Sequence, residues 1–151
     1  MASSGRERRP ARREDKRLDR LTPEQRSAVM SRIRGKDTKP ELAVRRLAHA
    51  MGYRFRLHRR DLPGSPDLVF PGRRKVLFVH GCFWHGHDCR KGHMPRTRTA
   101  YWAAKIKRNT ERDVASLDAL RELGWDALVV WECELKDRVA VESRISSFLD
   151  G

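Results

Sequence analysis

Apolar and polar residues change period several times along this chain, and each change marks an element. In Thr22-Pro23-Glu24-Gln25, threonine can cap a helix, proline fits its first turn and Gln25 completes a capping box. This predicts a short helix to about Arg34, stopped by Gly35. Thr38-Lys39-Pro40-Glu41 repeats the device ahead of Leu42, Val44, Leu47, Ala48 and Met51, which keep one helical face until Gly52. Tyr53, Phe55 and Leu57 then alternate with Arg54, Arg56 and His58, the period-two pattern of a half-buried strand with a basic outer face. Turn-rich residues 61–66 precede Asp67-Leu68-Val69-Phe70, and Pro71-Gly72-Arg73-Arg74 breaks the chain before residues 75–79, so these two runs predict a hairpin. Residues 99–123 predict a long helix ending at Gly124, followed by a strand over 125–131 and a last helix over about 138–149. The predicted order is ααβββαβα.

The long helix carries an anomaly. At 100° per residue, Trp102, Ile106, Leu117 and Leu120 share one face, and Asn109 and Asp113 lie inside the same stripe. Burying an unpaired carboxylate costs on the order of several kcal/mol, so Asp113 is expected to meet a histidine, an arginine or a water on a metal. A purely structural Asp113–arginine pair would explain the stripe equally well.

The densest chemistry lies in Val79-His80-Gly81-Cys82-Phe83-Trp84-His85-Gly86-His87-Asp88-Cys89, where two cysteines and three histidines fall within eleven residues. The chain has three cysteines, and Cys133 follows the strand-like run ending at Trp131, which can deliver it from far away in sequence. Cys82, His87, Cys89 and Cys133 make the thiolate and imidazole set of a closed structural zinc site. Asp88 could compete with His87, and His93 reads as a loop residue. The alternative is three unrelated thiols. A Cys82–Cys89 disulfide is disfavoured, because the absence of a signal peptide or a membrane-length apolar run points to a reducing, cytoplasmic compartment.

Composition then narrows the partner. The 151 residues suit one domain over 21–151, and 38% hydrophobic content is low enough to make a metal staple useful. Lysine and arginine number 34 against 20 acids, a net charge of +14 that favours a polyanion such as nucleic acid. Residues 1–20 are arginine-rich without apolar period and are expected to form a disordered basic arm, a solubilising tail or a phosphate contact.

Pro66-Asp67 opening a hairpin, Phe78-Val79-His80-Gly81-Cys82-Phe83-Trp84-His85, Thr97-Arg98-Thr99 with Trp102, Asn109 with Glu111-Arg112-Asp113, and Trp131-Glu132-Cys133 together resemble the very short patch repair (Vsr) endonucleases, from about Thr22 to the C-terminus. The resemblance implies an α/β fold with a PD-(D/E)xK-type, restriction-endonuclease-like core: a mixed central sheet flanked by helices, with a structural zinc site. It implies double-stranded DNA as partner, a thymine opposite guanine left by deamination of 5-methylcytosine, and a nick on the thymine strand 5′ of that thymine. It further raises a functional link to a DNA cytosine methyltransferase and mismatch-repair proteins, for a bacterial, nucleoid-associated monomer with no membrane partner.

Phosphodiester hydrolysis needs an activated water and a stabilised leaving 3′ oxygen, both of which Mg²⁺ can assist. Asp67, after a proline turn, is the expected Mg²⁺ ligand, with the backbone carbonyl of Val79; a turn-capping aspartate is its bland reading. Relatives often carry threonine where this chain has Val79, and Val79-His80-Gly81 replaces the Glu-x-Lys of related nucleases, so no second carboxylate is expected there. His85, surplus to the zinc count, is expected as general base or proton relay. By resemblance, His80 pairs with Asp113 or a water on the metal, and Glu41, also the third residue of a capping box, holds a second metal's waters. Phe83 and Trp84 are expected to wedge between base pairs, joined by Trp102 and by Met30 from the opposite groove, with core packing as the alternative for each aromatic. Arg32, Arg34, Lys36, Arg96 and Arg98 are expected on phosphates. Two other classes fit: an inert zinc DNA-binding module that tolerates loss of Asp67 and His85, and a sibling nuclease preferring paired or branched DNA.

Overall fold

The computed structural model describes residues 37–151 together with Thr22, Glu24 and Gln25. The basic arm and most of the first predicted helix therefore lie outside the described residues. Its capping box does not: the Thr22 N–H donates to Gln25 Oε1 at 2.9 Å and the Gln25 N–H to Thr22 Oγ1 at 3.1 Å.

Helix α1 spans Lys39–Ala50, its N-cap Thr38 accepting from the Glu41 N–H at 3.4 Å. Only half of the expected second capping box forms. The Glu41 carboxylate accepts from the Asp37 N–H (2.8 Å), one residue before the cap, and from Arg45 Nη2 (3.3 Å).

Strands β1 (Leu68–Phe70), β2 (Lys75–His80) and β3 (Asp126–Trp131) form one sheet in that order. The β1–β2 pair is the predicted antiparallel hairpin, closed by a 3₁₀ turn (Pro71–Arg73) and a left-handed Arg74. β3 runs parallel to β2, with the long helix α2 (Thr99–Glu122) between them, so the sheet is mixed. Helix α3 (Arg138–Asp150) closes the chain.

The strand predicted over residues 53–58 does not form. Tyr53, Phe55 and Leu57 do turn inward while Arg54, Arg56 and His58 stay exposed, but pairing is limited to one bridge, Arg56 to Val69. β1 offers only three residues to pair with, and His58 has φ +57°, which ends the extended run.

β2 is central and buried on both faces, as its unbroken apolar run requires. Leu77 and Val79 pack on one face against Val44 and Leu47 of α1 and Val141, Ile145 and Leu149 of α3. Val76 and Phe78 pack on the other with Leu62, Leu120 and Trp125. The result is a helix–sheet–helix sandwich. Each fully buried aliphatic side chain in it contributes roughly 1.5–3 kcal/mol, so the two clusters support the sheet from both faces.

Candidate active site and Cys–His cluster

The sheet topology explains why distant residues meet. β2 and β3 are parallel and in register to their last pair, His80 opposite Trp131, so the loops that leave their carboxyl ends emerge side by side. The first loop carries Cys82, His85, His87 and Cys89; the second is a 3₁₀ turn (Glu132–Lys136) carrying Cys133. β1 is antiparallel, so its start lies against the end of β2: the Asp67 N–H donates to Leu77 O at 3.0 Å, and the Val79 N–H donates to Asp67 Oδ2 at 2.6 Å.

A cavity of about 230 Å³ opens at this edge, and Glu41, Asp67, Val79, His80, His85 and Asp113 all line it. His85 Nδ1 meets Asp113 Oδ2 at 2.5 Å, so the carboxylate on the apolar stripe of α2 has the histidine partner the sequence demanded. That partner is His85, whereas the resemblance put His80 on Asp113 or on a water of the metal. His80 instead stacks on the His85 ring, centroids 3.8 Å apart and planes within 5°. It is 7% exposed, and its buried Nδ1 has no hydrogen-bond partner among the described residues. Burial, aided by the neighbouring His85, pushes the His80 imidazole down to about 4, so it stays neutral at ordinary pH.

With an acceptor carboxylate at Nδ1, a neutral His85 carries its proton there and leaves Nε2 as a lone-pair acceptor. The geometry suits a base held in one tautomer. Glu41 supplies what the hairpin lacks: a second carboxylate, 3% exposed, reaching the Asp67 side of the cavity from α1. Burial pushes Asp67 up to about 7, further raised by the Glu41 charge and opposed by the Val79 N–H. Two acids held this close fit a divalent cation, whose charge would relieve both.

The unfolded Asp67 loses its proton near 3.8 and the folded one near 7, so folding stability falls as pH rises between those values and is flat above. Without added Mg²⁺, Asp67→Asn should stabilise the protein, by an amount that grows across that window to on the order of 1–3 kcal/mol. Melting curves at pH 5 and pH 8 check it, and a gain independent of pH would refute the assignment.

The second cluster is Cys82, His87, Cys89 and Cys133, whose ligand atoms all lie within 4.8 Å of one another. All three cysteines are free thiols, and Cys133 Sγ is 3.5 Å from His87 Nδ1. Asp88 and His93 are exposed and outside the cluster. Burial pushes the Cys82 thiol up to about 12, as expected for a soft donor site whose thiolates need a cation. His87 is set by the stack of its ring on Trp131, at 4.2 Å and 13°.

Two glycines in this loop escaped the sequence reading. A Cβ on Gly92 would fall 1.8 Å from the His87 carbonyl oxygen, and one on Gly86, at φ +66°, 2.9 Å from Ile106 Cγ2. Both let the loop fold tightly, against itself and against α2. Asn109 adds a tether, donating from Nδ2 to the Trp84 carbonyl at 2.9 Å.

Phe83, Trp84 and Trp102 form an edge-to-face cluster with centroids 5.0–5.8 Å apart, half-buried and outside both apolar cores. Lys105 Nζ lies 5.2 Å from the Trp84 ring centroid. Arg96 and Arg98 are exposed, and Arg98 lies over Tyr101, which touches Trp102. Met30, Arg32, Arg34 and Lys36 lie outside the described residues.

The family model described as DNA mismatch endonuclease Vsr matches residues 18–91, a span that holds Glu41, Asp67, both histidines of the stack and three of the four Cys–His cluster residues. The chain belongs to the Vsr family of DNA mismatch endonucleases. A type II nicking enzyme of Xanthomonas oryzae pv. oryzae, V.XorIIP, is 58% identical over 132 residues, covering 87% of this chain and 97% of that protein. V.NmeAIP, a type II nicking enzyme of Neisseria meningitidis serogroup A, is 42% identical, over 85% of this chain and 91% of its own. The DNA mismatch endonuclease Vsr of Escherichia coli K12 is 45% identical over 75% of this chain and 72% of its own. Family membership supports endonuclease action on DNA and runs against an inert binding module. No described helix is long and apolar enough to cross a membrane.

Proposed function

We propose that the protein nicks DNA at a thymine opposite guanine, on the thymine strand 5′ of that base, by Mg²⁺-dependent phosphodiester hydrolysis that initiates very short patch repair. The observation that carries this is the convergence of Asp67, Glu41 and the His85–Asp113 pair in one cavity, with His85 on the loop that also presents Phe83 and Trp84.

Asp67, with Glu41 beside it and the Val79 carbonyl, would hold Mg²⁺, which when bound supplies charge stabilisation at the scissile phosphate. His85 Nε2 accepts the proton of the attacking water as the new P–O bond forms and the bond to the 3′ oxygen breaks, and the departing 3′ alkoxide takes a proton from solvent water, leaving a 3′-hydroxyl and a 5′-phosphate. Asp113 holds the imidazolium that results. His80, neutral and stacked on that ring, fixes its plane. Cys82, His87, Cys89 and Cys133 would hold zinc, stiffening the loop that carries His85 and the aromatics. The names of the X. oryzae and N. meningitidis relatives as nicking enzymes support a single-strand cut.

The test is nicking of matched and T:G duplexes, with and without Mg²⁺, by wild type and by the Phe83→Ala/Trp84→Ala variant. Wild type should nick the thymine strand of the mismatch only, and only with Mg²⁺. A wedge gains most where the pair is weak, since unstacking costs a few kcal/mol less at a mismatch than at a matched step. The double variant should therefore lose roughly 10- to 100-fold in mismatch preference while its salt-sensitive background binding persists. Equal cutting of matched DNA by wild type would overturn the substrate; an unchanged preference in the variant would make the aromatics packing residues.

A further inference from the structure

The basic outer face of residues 54–60 has no part in the chemistry above. A second cavity, of about 350 Å³, is lined by His58, Arg59 and Arg60 together with Glu41, Ser65 and Asp67, three residues that also line the catalytic cavity. Glu41, Ser65 and Asp67 thus form a wall common to both spaces.

The cations here are not equivalent. Arg45 is tied to Asp37 at 2.8 Å and Glu41 at 3.3 Å, and Arg59 forks onto Asp61 through Nε at 3.0 Å and Nη2 at 2.6 Å. His58 faces Asp37 at 3.7 Å. Arg54, Arg56 and Arg60 are exposed, and among the described residues no carboxylate pairs with them. Asp37, Glu41 and Asp61 thus already have cationic partners, and the surplus positive charge is carried by these three. Alternation holds Arg54 and Arg56 on one side of an extended chain, about 6.6 Å apart along it, and the left-handed His58 turns the run at the point where Arg60 reaches the groove beside Asp67. A row of unpaired arginines leading to a phosphate-cleaving centre suits a polyanion with regularly repeated charge.

We propose that Arg60, continued by Arg56 and Arg54, is a subsite for the DNA backbone phosphates that flank the scissile phosphate on the nicked strand. This rests on the reading of the catalytic cavity given above. The subsite fixes how the strand lies across Asp67 and carries no base specificity.

The experiment is a binding titration across salt with T:G and matched duplexes in which single phosphates near the nick are replaced by neutral methylphosphonates. One phosphate contact contributes about 0.9 to the slope of log affinity against log salt, so Arg60→Gln should lower the slope by about 1 and weaken binding roughly eightfold near 0.1 M salt, on both duplexes. Arg121→Gln, at a surface lining a separate cavity, should leave the slope unchanged. A methylphosphonate next to the nick should weaken wild type but add nothing to Arg60→Gln. An unchanged slope in Arg60→Gln, or losses that add at every phosphate, would overturn the proposal. Loss of mismatch preference in wild type with this coupling intact would instead fail the substrate reading and leave the subsite standing.

Discussion

His85→Ala should reduce the single-turnover nicking rate by about 10²–10⁴, the range a positioned general base contributes, while leaving the fold and the Cys–His cluster in place. Its ring is one-quarter exposed, stacks on His80 and pairs with Asp113, so removal also lowers the melting temperature, and the rate is compared at a temperature where both proteins are folded. Asp113→Asn keeps a group of the same shape beside Nδ1 but removes the charge that stabilises the imidazolium, and a smaller loss, of roughly 10- to 100-fold, is expected. The informative variant is the double one. If the pair acts as a unit, His85→Ala/Asp113→Asn should be no slower than His85→Ala, because the carboxylate has nothing left to stabilise. Additive losses would mean that Asp113 acts independently, on substrate or metal. Asp67→Ala should be as severe as His85→Ala at any Mg²⁺ concentration; His80→Ala and Glu41→Ala should show partial losses.

What the sequence made legible follows from what each pattern reports. Helical and strand periods report one-sided burial, so α1, β1, β2, α2, β3 and α3 were readable to within about two residues at either end. The same period misread residues 53–58 as a full strand, because alternating burial needs only an extended chain beside a core, whereas a strand needs a partner long enough to pair with. The misplaced acid on the α2 stripe announced that Asp113 had a polar partner, yet choosing His85 over His80 depended on where a loop and a strand end point, which spacing does not encode. Glu41 illustrates the same limit. Its spacing explained it locally as a capping residue, the resemblance alone put it near a metal, and the packing of α1 on the sheet is what brings it to the cavity that Asp67 lines. Gly86 and Gly92 carry no signal beyond their own identity, since the contacts that exclude a Cβ are made by the folded loop.

One zinc per chain is expected in purified protein, and its removal should have the largest effect of any single change. Residues 81–98 contain no regular element beyond a single 3₁₀ turn, and in residues 81–92 only Cys82 is fully buried, so little apolar burial holds this loop. A structural zinc in a small peptide site contributes an apparent ~10–16 kcal/mol. Here part of that goes into ordering the loop, because the two core clusters support the sheet independently. Cys133→Ser should therefore lower zinc content well below one per chain, lower the melting temperature and raise protease sensitivity within residues 81–98, without abolishing the helical signal of α1, α2 and α3. Nicking should fall at least as far as in His85→Ala, since His85, Phe83 and Trp84 lie between two of the four ligands and lose their positions together. Elemental analysis, limited proteolysis and single-turnover nicking on the same preparation separate these effects. Chelator treatment of wild type should reproduce the variant, and zinc, not Mg²⁺ alone, should reverse it. Wild-type zinc content, melting and turnover in Cys133→Ser would remove Cys133 from the site, and purified wild type without zinc would reduce the cluster to three thiols and a histidine that happen to lie close together.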